Sequence, residues 1–178
     1  PMKHLYFLIL FTLPLYVMAK DPYPKNSNID IINYSFELQF NDTNDIIQGN
    51  ANINLHIKPT EENVRLDLTS KNQEGKGMEV HSVLFNGKDI PYSHIKNVLN
   101  ISVKDISFSI SDIISIKYSG VPITGLIIGD NMHGDRTFFS DNWPNKARNW
   151  LPLVDHPYDK ATSDFIIFAP NHYQVISN

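Results

Sequence analysis

Apolar and polar residues alternate along most of the chain. Ile32, Tyr34, Phe36, Leu38 and Phe40 fall on one face of an extended segment, with Asn33, Ser35, Glu37 and Gln39 on the other. A side-chain period of two is that of a half-buried strand. The polar cluster at 41–45 reads as a turn, and a second run follows with Ala51, Ile53, Leu55 and Ile57 inward and Asn52, Asn54, His56 and Lys58 outward. Two such runs with a short polar link predict an antiparallel hairpin. Val64, Leu66 and Leu68 then alternate against Arg65, Asp67 and Thr69. A strand over 80–85 ends at Asn86-Gly87, a strong two-residue hairpin signal. Ile101/Val103, Ile106/Phe108/Ile110 and Ile114/Ile116/Tyr118 keep the same period, and residues 165–169 and 173–177 read as a closing strand pair. No helical stripe interrupts the pattern, so the fold class is all-β with antiparallel sheets, each free to face water on one side.

Two regions depart from alternation. Residues 119–143 are rich in Gly and Asp and read as a long irregular loop, of the kind that covers something or carries function. Residues 141–162, "DNWPNKARNWLPLVDHPYDKAT", hold both tryptophans, three prolines and a cluster of charges. The N-terminus is different again. A basic start at Lys3 precedes an apolar run over 5–17, and Ala19 offers a small residue at a cleavage point. That layout predicts a secretory signal peptide at 1–19 and an exported protein, periplasmic or extracellular. The run is shorter than the ~20 residues a membrane span needs, so no span remains after its removal. The chain has no cysteine, which excludes thiol catalysis, and its net charge of −4 gives no basic face for nucleic acid.

Asp155 and His156 are adjacent, and neighbouring side chains of an extended or turning backbone diverge, so they do not make a base-and-orienter pair. The seven histidines include no i, i+4 pair and no H-E-x-x-H, which leaves no zinc motif. Asp155 and Asp159 could be paired carboxylates, although acidic pairs in loops are more often turn formers or ion-pair partners. Arg148 and Lys160 are the nearby cations, and an Arg148–Asp155 contact would pin the loop. Trp143 and Trp150 could stack on a sugar or peptide, but large aromatics more often bury area between elements or domains.

The run Pro144, Ala147, Arg148, Pro152, Asp155, Pro157, Lys160, Ala161, Thr162 is similar to the motif closing the N-terminal domain of the aminopeptidase N family of zinc metallopeptidases. "YSGVPITG" at 118–125, "FIIFAPNHYQVISN" at 165–178 and the segment Tyr34-Ser35-Phe36-Glu37-Leu38 with Gly49 resemble the flanking strands of that family. The resemblance implies a sandwich- or saddle-like β-domain over 20–178, packed against a thermolysin-like catalytic domain of the same polypeptide. It implies zinc on H-E-x-x-H plus a Glu in that second domain, and no catalytic or metal-binding residue in this one. Peptide substrates are implied too. In the family a Gln or Glu five residues before the motif's Arg holds the substrate's free amine. Here that place is Trp143, so Asp141 and Asn142 become the candidate acceptors, with Trp143 beside them. Arg148, Pro152, Asp155, Pro157 and Lys160 are expected to shape the segment rather than react. The reading set against this one is a stand-alone secreted β-sandwich that binds glycan or protein.

Overall fold

The computed structural model describes residues 21–177; the proposed signal peptide lies outside them. Eleven strands form among the described residues: β1 Ile29–Gln39, β2 Ile47–Ile57, β3 Asn63–Asp67, β4 Gly77–Phe85, β5 Lys88–Asp89, β6 Tyr92–Ile95, β7 Val98–Ser102, β8 Asp112–Val121, β9 Leu126–Asp130, β10 Arg136–Ser140 and β11 Thr162–Phe168. They make a six-stranded sheet in the order β11-β1-β2-β8-β4-β5, a three-stranded sheet β3-β7-β6 and a two-stranded β9-β10 ribbon. Pairing is antiparallel throughout, except that β11 runs parallel to β1.

The core joins the inner rows of the two larger sheets. Phe36, Leu38, Ala51, Ile53, Leu55, Ile114 and Ile116 from the large sheet share one cluster with Val64, Leu66, Leu99 and Ile101 from the small one. At ~25 cal/mol per Å2 of apolar area removed from water, such rows are the main stabilising term of a sandwich. Every inward position expected on β2 is buried. On β1 the expectation holds from Tyr34 onward but fails at the start. Ile31 is buried and Ile32 exposed, because a bulge between Ile31 and Asn33 inserts one residue and flips the face.

Asn86 and Gly87 both take positive φ, +48° and +81°, the backbone of a type I′ turn, as their dipeptide predicts. Lys96 and Asn97 repeat that geometry between β6 and β7 without the glycine. Gly49 is needed for a different reason. A Cβ there would lie 2.3 Å from Cζ of Tyr118, its cross-strand neighbour, so only glycine leaves room for the buried ring.

Three expected elements differ. Residues 106–110 form no strand; they carry the chain to β8, and their end is held by the Asp112 carboxylate, which accepts from the Ser109 amide and hydroxyl. Residues 173–177 form no strand either, since no neighbouring strand offers them a ladder. The expected long loop at 119–143 contains the β9-β10 hairpin.

Candidate functional site

The segment 141–162 runs from β10 to β11 and is fastened along most of its length. Its first bond is made by the Asp141 amide, which donates to the Gly125 carbonyl at 2.8 Å. Gly125 has φ +82°, and a Cβ on it would stand 2.4 Å from the Lys146 carbonyl oxygen; the close approach of the segment depends on that glycine. A 3-10 turn at Ala147–Asn149 follows. The Thr69 amide then donates to the Arg148 carbonyl at 2.8 Å, and Asp67 and Leu153 exchange amide-to-carbonyl bonds of 2.8 and 3.2 Å. Pro152, which has no amide to satisfy, is buried beside that bridge.

Asp67 organises the centre. The alternation of its strand assigns it to the outward face with Arg65 and Thr69. It is nevertheless only 1% exposed, and Thr69 is buried as well. The reason is the segment itself, which lies over the end of β3 and converts an outer face into an interior. A carboxylate without water must be paired. One oxygen of Asp67 lies 2.8 Å from the Arg65 guanidinium, an ion contact whose angle falls outside hydrogen-bond geometry. The other accepts from the Tyr23 hydroxyl and from the Asp155 amide at 3.1 Å, with Arg148 at 3.7 Å. Burial, and then the neighbouring Asp67 carboxylate, push the Tyr23 hydroxyl well above its ordinary titration range.

Arg148 and Asp155 meet as expected. The Nε of Arg148 donates to Asp155 Oδ2 at 2.9 Å, its amide donates to the same oxygen at 3.2 Å, and its terminal nitrogen donates to the Asp155 carbonyl at 3.0 Å. His156 turns the other way, stacking on Tyr23 at 4.5 Å. Its Nδ1 accepts from the Tyr158 amide at 3.2 Å, which leaves Nε2 to donate to Asp21, also at 3.2 Å. Asp159 accepts from the Tyr34 hydroxyl at 2.9 Å, and that hydroxyl accepts from the Val154 amide. Burial raises Asp159 above the usual carboxylate range. The two aspartates therefore hold different parts of the segment rather than sharing a reacting atom. Pro157 and Lys160 are exposed, and Lys160 makes no ion pair among the described residues.

The beginning of the segment is unlike the rest. Trp150 is 4% exposed, and its indole N–H donates to Asn142 Oδ1 at 3.0 Å. Trp143 is 80% exposed. Asp141 accepts from Lys146 Nζ at 2.7 Å, and that bond, followed by one from the Trp143 amide, holds its carboxyl below the usual range. Of the three consecutive residues, Asp141 and Trp143 are exposed and Asn142 is half-buried. Asn142 and Trp150 line a cavity of about 450 Å3 with Phe139, Phe165 and Val175. The outer face of the hairpin adds Ile127 directly across from Phe139, and both are exposed.

A second hollow of about 540 Å3 lies on the outer face of the large sheet. There His81 Nε2 is 2.7 Å from Ser119 Oγ, but no carboxylate orients that imidazole among the described residues. Nor do the described residues bring three of His, Cys, Asp and Glu together to hold a metal ion. No helix among them is long and apolar enough to cross a membrane. Sequence reasoning missed Asp67, Tyr23 and Tyr34. The available signal for Asp67 was Arg65 two residues away, since positions i and i+2 of a strand share a face and opposite charges there make a pair.

A family model described as the Peptidase M1 N-terminal domain matches residues 31–178. Among solved structures the chain is similar to an M1 zinc metallopeptidase from Deinococcus radiodurans, with 18% identity and a TM-score of 0.64 over 80% of this chain and 33% of that one. A mutant of the Deinococcus enzyme bound to a Tyr-Ser-Ala substrate matches at 19% identity and TM-score 0.64, over 81% of this chain and 33% of that one. Leukotriene A4 hydrolase from Saccharomyces cerevisiae matches at 17% identity and TM-score 0.65, over 80% of this chain and 24% of that one. The chain therefore spans a third or less of these relatives. No curated protein matches it.

Proposed function

The chain belongs to the peptidase M1 N-terminal domain family, and on that premise we propose that it is the non-catalytic domain of an exported zinc aminopeptidase. In this reading it docks on a thermolysin-like catalytic domain of the same polypeptide and lines the substrate cleft with Asp141, Asn142 and Trp143. The observation that carries it is the apolar corner. Ile127, Phe139, Trp143, Phe165 and Ile176 are all more than two-fifths exposed, and three of them face one cavity. Contiguous exposed apolar surface marks an interaction site. In this reading the zinc belongs to the catalytic domain; the residues described here do not bring three metal-ligating side chains together.

Asp141 already receives an ammonium, that of Lys146. A peptide's N-terminal amine is the same kind of donor and would take over that acceptor in a shielded cleft. The stand-alone binding reading is not favoured: it needs two indoles presented together, and Trp150 is buried.

Kinetics of the two-domain polypeptide on aminoacyl anilides test the proposal. Asp141→Asn and Trp143→Ala should raise KM about tenfold while leaving the unfolding temperature unchanged, the pattern of lost substrate binding. Unchanged kinetics in both variants would remove this corner from the cleft. Export is tested separately, by N-terminal sequencing of secreted protein, which should begin at Lys20.

A further inference from the structure

The two edges of the six-stranded sheet are built differently. One ends in β5, a strand of two residues, Lys88 and Asp89, both charged and exposed. Short charged edges are how sheets avoid unwanted pairing. The other edge is β11, seven residues long, with a run of four apolar residues from Phe165 to Phe168 and no proline within it. Phe165, Ile166 and Phe168 are all exposed.

The direction of its free hydrogen-bonding groups follows from one bond. The Phe40 amide donates to the Phe168 carbonyl at 2.9 Å, so the peptide groups of Phe168 face β1. Successive residues of a strand alternate sides. Ile166 therefore also faces β1, and the amides and carbonyls of Phe165 and Ile167 face outward, where no strand of the sheet lies.

We infer that this edge is a strand-docking site, filled by an extended apolar strand from the part of the same polypeptide that lies beyond these residues. The inference rests on the two-domain reading above. Three observations favour that occupant. The matched relatives are about three to four times as long as the chain they share with it. The edge adjoins the apolar corner, since Phe165 lines the same cavity as Phe139 and Trp150. After β11, Val175 and Ile176 lie outside any strand and line that same cavity. Backbone pairing would supply the affinity, and the exposed Phe165, Ile166 and Phe168 side chains the selectivity for apolar neighbours.

The test is amide hydrogen exchange on the 178-residue chain and on the polypeptide carrying the catalytic domain. The Phe165 and Ile167 amides should exchange at least tenfold more slowly in the longer polypeptide, while those of Ile166 and Phe168 are protected in both. If residues 127–143 become protected but Phe165 and Ile167 do not, strand addition is wrong and domain docking stands. If neither region changes, or the natural polypeptide ends at Asn178, both readings fall. Concentration-dependent protection of the edge in the 178-residue chain would assign it to a second copy instead. Ile167→Pro removes an outward amide and spares the β1 ladder, with Ile167→Ala as the control for side-chain loss. The proline variant should match the alanine variant in the short chain and melt several degrees lower in the long one; equal melting in both would overturn the inference.

Discussion

The segment between β10 and β11 has two halves, and its two tryptophans mark them. Around Trp150 nearly every polar group has a partner: Arg148 spends three donors on Asp155, Asp67 ties the segment to β3 and Tyr23, and the indole N–H is bonded to Asn142. Around Trp143 the segment is held through Asp141 and Asn142, and the Trp143 indole stands in solvent. The anchored half behaves as core although its sequence is polar and proline-rich. The open half behaves as surface although it carries a tryptophan just as large as the one the anchored half buries. Rigid fastening of one half is what lets the other present a fixed corner to a neighbour, because the geometry of a binding surface is no better than the shell that holds it.

The sharpest way to break this contrast is Asp67→Ala. It strands Arg65 and part of Arg148 beside a buried hole and removes the acceptor of Tyr23 and of the Asp155 amide. A loss of ~3–5 kcal/mol is expected, read as a lower urea midpoint at unchanged slope. A loss below about 1 kcal/mol would show that Asp67 does not organise the segment. Trp150→Ala should cost ~3–5 kcal/mol by leaving a cavity, whereas Trp143→Ala should stay within ~0.5 kcal/mol in the 178-residue chain. Similar losses at the two positions would erase the distinction between the halves.

Alkaline pH probes the anchored half more gently. Burial raises the hydroxyls of Tyr23, Tyr34 and Tyr118 above their unfolded value. Above about pH 10 the unfolded chain releases these protons while the folded chain keeps them. The folded state then binds more protons, so stability is intact below about pH 10 and falls as pH rises beyond it. Tyr34→Phe should flatten that fall; an unchanged slope would mean that Tyr34 titrates normally in the folded state. The smallest effect belongs to the open half. Lys146→Met removes an exposed ion pair with Asp141 and should leave the melting temperature unmoved, since such pairs are screened by water; a clear drop would mean that the corner is load-sharing with the core.

How much of this could be read from the residues depends on which face each strand hides. Where one face meets the core and the other meets water, as on β2, alternation placed Ala51, Ile53, Leu55 and Ile57 correctly. On β1 a single bulge defeated it at Ile31 and Ile32, because a two-residue period cannot carry an inserted residue. The β9-β10 hairpin was invisible for the opposite reason: Ile127 and Phe139 are apolar on the outer face while Leu126 and Phe138 pack inward, so nothing alternates. Asp67 was misplaced since an outer strand face became interior only when a distant segment covered it. The Arg148–Asp155 clamp was legible, because its partners lie within one short stretch. Residues 173–177 have strand pattern without a ladder, and pattern alone does not supply the neighbour.

The central claim is that the corner at Trp143 is covered by a catalytic domain while Trp150 is sealed within this one. Hydroxyl-radical footprinting of both indoles, in the 178-residue chain and in the polypeptide that carries both domains, measures this directly. The account predicts that Trp143 is oxidised rapidly in the short chain and protected in the long one, with Trp150 protected in both. Equal oxidation of Trp143 in the two would contradict it.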